Sequence, residues 1–236
     1  MTLQWLKTYA TEVDLAGRYG CCEDTVETKT KEYAQLFQSF IKKKIKFSGF
    51  DERVYQFAVD GQNYNTYEFR MSPSSKWYNH KSHSSGVKYL YACHLYESRL
   101  VYMEGPIPCG INDISMYKGQ NKDGNVNNKD ALYYKMKELQ KTRRIKGFAD
   151  SGFVGVSKQL TITRNAHSKE MKELIARAKA RQESFNSRMS KFNVLKSRFR
   201  HGKGTEKRLE MHKMCTESVC VIVHYGMENG SLLWDV

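Results

Sequence analysis

The chain has 236 residues, and its 39 lysine and arginine residues against 25 aspartate and glutamate residues give a formal net charge of +14. Its hydrophobic residues, at 40%, exclude an intrinsically disordered protein and are sufficient for a packed core in one or two domains. No apolar run of about 18 residues and no N-terminal signal pattern is present, so the sequence predicts neither a membrane span nor secretion.

Six cysteines are present without a C-x-x-C pair, which favours free thiols in a reducing compartment over a zinc site or a disulfide framework.

The first predicted elements are helical. Residues 12–47 have helical spacing, and the string DLAGRYGCCEDTV at 14–26 has the layout of a helix, a glycine-containing turn and a second helix. A DNA-binding helix-turn-helix and an ordinary helical hairpin both fit this pattern. Only about 50 residues precede the next element, so residues 1–50 are predicted to be a partial helix-turn-helix-like segment.

The pattern then changes to short strands. Strands are predicted at 55–59, 87–96, 99–105, 145–149 and 159–163, with a short helix after Asp130. The second and third strands form a predicted hairpin, and residues 62–85 a polar loop. The first and fourth strands each end in a carboxylate, Asp60 and Asp150, and the glycines Gly61 and Gly152 are expected to allow tight turns there.

Two helices are predicted in the C-terminal third. The longer pattern, 167–199, carries Glu183 at the flank of its apolar stripe. Residues 205–226 fit both a strand and a helix, and we predict a helix because Leu209, Cys215 and Ile222 share one helical face.

Positive charge is concentrated in one segment. Residues 164–213 hold fifteen lysine and arginine residues against five glutamates, a net charge of +10. A solvated helix face is one interpretation of such a run. A surface that binds a polyanion is the other, because clustered cations neutralise phosphates and release counterions.

Two carboxylates at strand ends and a third on a long helix can converge on one point. Mg²⁺ and Mn²⁺ prefer such hard oxygen ligands, and a pair of these ions promotes displacement at a phosphodiester. Spacing alone is weak support, since each carboxylate could equally form a loop cap or a surface ion pair.

Five motifs follow one another in a fixed order. They are VDG at 59–61, GVKYLYACHLYESRLVYMEGPIPCGINDISMY at 86–117, FADSGF at 148–153, RQESFNSRMSKFNVL at 181–195 and FRHG at 199–202. In this order they resemble the motifs of Harbinger-type DDE transposases, including the family's G-P-x-P-G-x-x-D, A-D-S-G-Y and E-x-x-N-x-R-x-K-x-F. The tail from His212 to LLWDV resembles the family's closing helix and strand-like end.

The resemblance implies an α/β, RNase H-like fold at 51–236, with a mixed five-stranded sheet flanked by helices and preceded by the short helical segment. It implies that Asp60, Asp150 and Glu183 are the catalytic residues and the ligands of two divalent ions, Mg²⁺ or Mn²⁺. The implied activity is that of a metal-dependent DNA endonuclease and strand transferase, which cuts phosphodiester bonds at transposon ends.

Further site candidates follow from the same motifs. Asp113 matches a recurrent family aspartate and is a near-site candidate, with a helix N-cap as the alternative. Residues of the basic segment are DNA-binding candidates: Arg181, Asn186, Arg188, Lys191, Arg198, Arg200 and His201. Asn186 and Arg188 could instead cap and brace their helix, and His201 could be a surface hydrogen-bonding group or a catalytic group.

The resemblance also implies partners. They are double-stranded DNA at transposon ends and target, a Myb-like accessory protein and a second copy of the chain, with a nuclear location and no membrane.

This sequence departs from the family at two places. The first motif continues as Asp60-Gly61-Gln62-Asn63 instead of D-G-T-H, and Ser190 stands where a lysine is expected. These departures and the short N-terminal segment keep a second function open, that of a decayed or host-adopted DNA-binding protein without turnover. An RNase H-like nuclease acting on RNA hybrids is a third, which the motifs disfavour.

Overall fold

The computed structural model describes residues 1–69 and 74–233. The helices are α1 Thr2–Thr8, α2 Glu12–Tyr19, α3 Glu23–Ser39, α4 Ile41–Lys44, α5 Ser74–Trp77, α6 Asp113–Tyr117, α7 Leu132–Leu139, α8 Lys169–Ser190, α9 Asn193–Lys196 and α10 Thr205–Glu228. The strands are β1 Tyr55–Asn65, β2 Tyr78–Asn79, β3 Ser84–His94, β4 Leu100–Pro108, β5 Lys146–Ala149 and β6 Leu160–Ile162.

The strands form one mixed sheet, and the chain is an α/β protein. The strand order is β2–β3–β1–β5–β6, and β4 also pairs with β3. β3 runs antiparallel to both β1 and β4, whereas β5 is parallel to β1 and β6 is parallel to β5. The sheet has six strands where five were predicted, because the two-residue β2 is added beside the start of β3.

Alternate side chains of the central strands enter different cores, as expected for a sheet covered on both faces. Tyr89 and Tyr91 pack in a cluster with α10 and the N-terminal helices. Leu90 and Ala92, from the same strand, pack with residues of α6 and α7 on the opposite face. The two faces of β3 therefore support the two helical layers.

Most predicted elements are confirmed: the hairpin as β3 and β4, the strands β5 and β6, and the helices α7 and α10. The predicted end of the first strand at Asp60 is wrong, because β1 continues to Asn65. Residues 61–65 pair with 86–90 of β3, and this pairing outweighs the weak strand propensity of the sequence GQN. The loop predicted at 62–85 is therefore shorter, and its residues 70–73 lie outside the described chain.

The long helix predicted at 167–199 is two helices. α8 ends at Ser190, and Phe192 adopts an extended backbone before α9 begins. Val194 and Leu195 on α9 are buried in the same cluster as residues of α1, so tertiary packing redirects the chain where the apolar pattern alone continues.

The N-terminal helices contribute to the main core and have no separate one. Trp5, Leu15 and Val26 are buried in the cluster that also contains Cys215 and Val219 of α10. The boundary predicted at residue 50 stays a prediction, but the segment before it is packed on the rest of the chain.

Within the described part of the chain, no helix has the length and apolar character needed to cross a lipid bilayer. The helix expected near the C-terminus is α10, whereas residues 234–236 of the strand-like end predicted there lie outside the described residues.

Candidate active site

The register of the parallel strands sets Asp60 beside Asp150. Ala58 of β1 pairs with Phe148 of β5, so the residues two positions further along each chain lie at the same level. Because alternate residues share a face, Asp60 and Asp150 lie on the face of Ala58 and Phe148, which packs against α8.

Asp60 is the most strongly perturbed carboxylate of this region. Its Oδ1 accepts a hydrogen bond from the Gly61 N–H at 2.8 Å, and its Oδ2 accepts one from Asn186 Nδ2 at 3.0 Å. Burial and the nearby charges of Asp150 and Asp113 raise the pKa of Asp60 to about 6, against the opposing effect of its hydrogen bonds. The site therefore concentrates negative charge in a partly desolvated place.

Asp150 lies directly after β5. Its Oδ1 accepts a hydrogen bond from the Gly152 N–H at 2.7 Å and caps the short 3₁₀ turn Ser151–Phe153. A Cβ on Gly152 would lie 3.0 Å from Asp150 Oδ1 and 3.4 Å from Asp113 Oδ2, so both carboxylates border the same glycine. The expected tight turn at Gly152 is confirmed.

Asp113 approaches from the opposite face of the sheet. It is the first residue of α6, whose N-cap is Asn112, so the alternative of an N-cap role for Asp113 is wrong. Its Oδ1 lies 2.7 Å from Lys88 Nζ, and the largely buried Lys88 also donates to the Ile111 carbonyl at 2.7 Å. We refer to Asp60, Asp113 and Asp150 as the carboxylate cluster.

Gly61 makes room for Asp113. It lies within β1 and not in a turn, so the turn expected there is wrong. A Cβ at this position would lie 2.6 Å from Asp113 Oδ1, closer than real Cβ contacts. The missing side chain is therefore required by the approach of the carboxylate.

Glu183 is exposed on α8, three residues before Asn186. The residue of this helix that contacts Asp60 is Asn186, at one turn's distance from Glu183. Sequence reasoning treated Asn186 as a DNA contact or a helix brace and missed this role, and it also missed Lys88. For Lys88 the sequence offered one signal, since it is the single lysine within the otherwise β-forming run VKYLYACHLY.

The two departures from the family's motifs meet in space. Gln62 donates from Nε2 to Ser190 Oγ at 2.8 Å, which links β1 to the last turn of α8. The unexpected residues at these positions thus form one contact.

Several DNA-binding candidates have structural partners. Arg181 is 1% exposed and donates to the His94 carbonyl at 2.8 Å, so its guanidinium is buried within the fold in this structure. Arg188 donates to the main-chain carbonyls of Ser231 and Leu232 and fixes the C-terminal segment.

The FRHG motif docks the N-terminal helices. Arg200 donates to the Ala10 carbonyl at 3.0 Å and lies over the Tyr9 ring. His201 packs edge-on against Trp5 and lies 3.8 Å from Glu12, so it is partly buried against the N-terminal helices. The two other candidates, Lys191 and Arg198, are exposed and stay available to a ligand.

The donor set fits a hard divalent cation in its chemistry. Carboxylate oxygens are the ligands that Mg²⁺ and Mn²⁺ prefer. Burial first, and then the nearby charges of Asp150 and Asp113, raise the pKa of Asp60, and a cation would compensate those charges. As the side chains stand, no three Asp, Glu, His or Cys residues within 1–69 and 74–233 form a group that could hold a metal ion. Binding would therefore require side-chain rotation, most of all by the exposed Glu183.

In comparisons with known proteins, no family model matches the chain, and no curated protein or solved structure matches it.

Proposed function

We propose that the chain is a metal-dependent DNA endonuclease and strand transferase with an RNase H-like fold, of the Harbinger DDE type. The observation that carries the proposal is the placement of Asp60 and Asp150, each two residues beyond the paired Ala58 and Phe148 of adjacent parallel strands, where the charge of Asp150 acts on Asp60. Strand order and direction support the fold class: apart from β2, the order is β4–β3–β1–β5–β6, and β3 alone is antiparallel to the rest.

In this proposal Asp60, Asp150 and Glu183 would hold Mg²⁺ or Mn²⁺. The bound ions would stabilise the charge that develops when a phosphodiester is attacked. The chain's own groups keep Asp60 and Asp150 oriented through the Gly61 and Gly152 N–H groups. Asp113 is paired with Lys88 and adds less negative charge to the site than an unpaired carboxylate would.

Duplex DNA would bind to the exposed part of the basic segment. Four of its fifteen cationic residues, Arg181, Arg188, Arg200 and Arg208, donate to main-chain carbonyls within the fold. If six to ten of the others contact phosphates, affinity falls by roughly 10³–10⁵-fold between about 50 and 200 mM salt. A flat salt response would identify this segment as a solvated surface only.

Nicking of a supercoiled plasmid that carries matching element ends tests the activity, with and without Mg²⁺ or Mn²⁺. Glu183→Gln keeps the side-chain shape and removes the anionic ligand. We expect nicking to fall by about 100-fold or more, or about 2.7 kcal/mol in activation free energy, with DNA binding in a gel-shift titration unchanged. Equal nicking by both proteins would remove Glu183 from the site.

One observation favours a second function, a transposase-derived DNA-binding protein without turnover. Glu183 is exposed on α8, whereas the charges that add to the effect of burial on the pKa of Asp60 are those of Asp150 and Asp113, the other members of the carboxylate cluster. Salt-sensitive DNA binding without nicking under either metal would support this second function over the first. A Myb-like accessory protein, a homo-oligomer and a nuclear location remain part of the first proposal.

A further inference from the structure

Three amide side chains connect α8 to the acidic end of β1. Asn186 donates to Asp60 Oδ2 at 3.0 Å, and its own Oδ1 accepts from Gln182 Nε2 at 3.3 Å. Gln62 donates to the Asn186 main-chain carbonyl at 3.2 Å and to Ser190 Oγ at 2.8 Å. We refer to Gln62, Gln182 and Asn186 as the amide network.

The amide network is anchored on the sheet at both ends. Gln182 is 3% exposed, and its Oε1 accepts from the Cys93 N–H at 3.3 Å. Gln62 Oε1 accepts from the Tyr64 hydroxyl at 2.9 Å, and Tyr64 is itself buried. Because the amide oxygen and the amide nitrogen of both Gln62 and Gln182 are hydrogen-bonded, Asn186 has little freedom to turn away from Asp60.

The chemistry of Asn186 suits the neighbour of a metal ligand. An amide N–H orients a carboxylate without neutralising it, whereas lysine or arginine would compensate the charge that attracts a cation. Each carboxylate oxygen has two acceptor positions, and Asp60 uses one on Oδ1 for Gly61 and one on Oδ2 for Asn186. One position on each oxygen is thus left for a cation.

We propose that Asn186 is the positioning residue of this site, which fixes the orientation of the Asp60 carboxylate toward a divalent cation. Gln62 acts one step further out, because it holds the turn of α8 that carries Asn186. The inference rests on the proposed function, since it takes Asp60 to be a metal ligand. It also reassigns Asn186 from DNA contact to a role within the site.

The test measures Mn²⁺ binding to the full chain by titration with electron paramagnetic resonance of the free ion, without DNA and without turnover. Asn186→Leu has similar volume and no donor, and partners of metal ligands typically contribute 10–100-fold to affinity. We expect Mn²⁺ binding to weaken by about that factor. Asn193→Leu is the matched control, because the Asn193 amide donates to the Thr8 carbonyl, away from the carboxylate cluster.

Two further variants separate the possible failures. Asp60→Asn should abolish the binding that the wild type shows, and Gln62→Ala should weaken it less than Asn186→Leu does. Full binding by a folded Asn186→Leu protein would overturn the inference and leave the metal site standing. Should Asn186→Leu not fold, wild-type affinity in Gln62→Ala would overturn the inference in the same way. Absence of Asp60-dependent binding in the wild type would overturn both the proposed metal site and the inference.

Discussion

The docked N-terminal helices and the carboxylate cluster differ in how their contacts act on the stability of the fold. The helices bury apolar and aromatic groups: Trp5 and Leu6 are 2% and 0% exposed and pack into the core that contains α10. The carboxylate cluster gathers like charges in a half-buried place, where burial and the neighbouring charges raise the pKa of Asp60.

The N-terminal helices contribute mainly to the stability of the fold, and the carboxylate cluster is suited to binding a cation. Burial of apolar surface is the main favourable contribution to folding, whereas like charges held together oppose it and persist where a ligand can use them. Changes in the N-terminal helices should therefore reduce the free energy of unfolding without affecting cation binding, and changes in the carboxylate cluster should do the reverse.

The largest effect on stability is expected from Trp5→Ala. Its ring packs against Tyr9 and His201, and removal of a buried aromatic side chain destabilises by about 3–5 kcal/mol. Urea unfolding followed by circular dichroism measures the loss. Mn²⁺ affinity of the folded fraction is expected to stay at the wild-type value, and its loss would show that the two regions are coupled.

Asp150→Asn tests the carboxylate cluster. The substitution removes one charge from the carboxylate cluster, so nicking should fall by about 100-fold or more, about 2.7 kcal/mol in activation free energy. The free energy of unfolding should stay equal or rise slightly, because repulsion of Asp60 is relieved. A strongly destabilised Asp150→Asn protein would contradict the separation of the two regions.

The pH dependence of stability should come partly from His212 of α10. Burial lowers the pKa of His212 from 6.5 to about 3, so the unfolded chain binds a proton there that the folded chain excludes. No stability is lost to this group above pH 6.5, and the loss grows as the pH falls toward 3. At pH 5 the free energy of unfolding is lower by about 2 kcal/mol on account of His212.

Urea unfolding at pH 7 and pH 5 measures this effect. His212→Gln has no titrating group at this position and should lose about 2 kcal/mol less than the wild type between the two pH values. The same loss in both proteins would assign the pH dependence to other groups, such as His94, whose pKa burial lowers to about 4.

A smaller effect is expected from Gly61→Ala. The added Cβ would displace Asp113, since it would lie 2.6 Å from Asp113 Oδ1, and such overpacking costs about 1–3 kcal/mol. Thermal unfolding of the variant and of the wild type checks this, with Gly17→Ala as a comparison at a helix position where a Cβ meets nothing within 4 Å and alanine should stabilise slightly. A melting temperature of Gly61→Ala at or above the wild-type value would show that Asp113 moves aside freely.

Local patterns predicted the strands that flank the site. Alternation and β-branched residues identified the hairpin and β5, and the motif order identified Asp60 and Asp150 as candidates. The parallel register that sets them side by side is a tertiary property, and the sequence near either residue does not encode it.

Contacts between residues that lie far apart in the sequence could not be predicted from local patterns. Asn186 contacts Asp60 across 126 positions, and Arg200 contacts Ala10 across 190, so neither bond leaves a local signal. The sequence could not show that Arg181 is buried, because charge counts do not report burial. The helix α1 spans only seven residues, and its buried Trp5 and Leu6 pack against residues elsewhere in the chain, so its local sequence carries little signal.

The parallel pairing of β1 with β5 has a consequence for the order of assembly. The hairpin of β3 and β4 lies between these strands in the chain, so Ala58 and Phe148 meet only after a long loop has closed. Closure of such a loop carries an entropic penalty that local contacts do not, and it delays folding. A chain still emerging from the ribosome before β5 is complete therefore has Asp60 but not its neighbour. The pair of carboxylates is therefore assembled only after synthesis has passed Asp150.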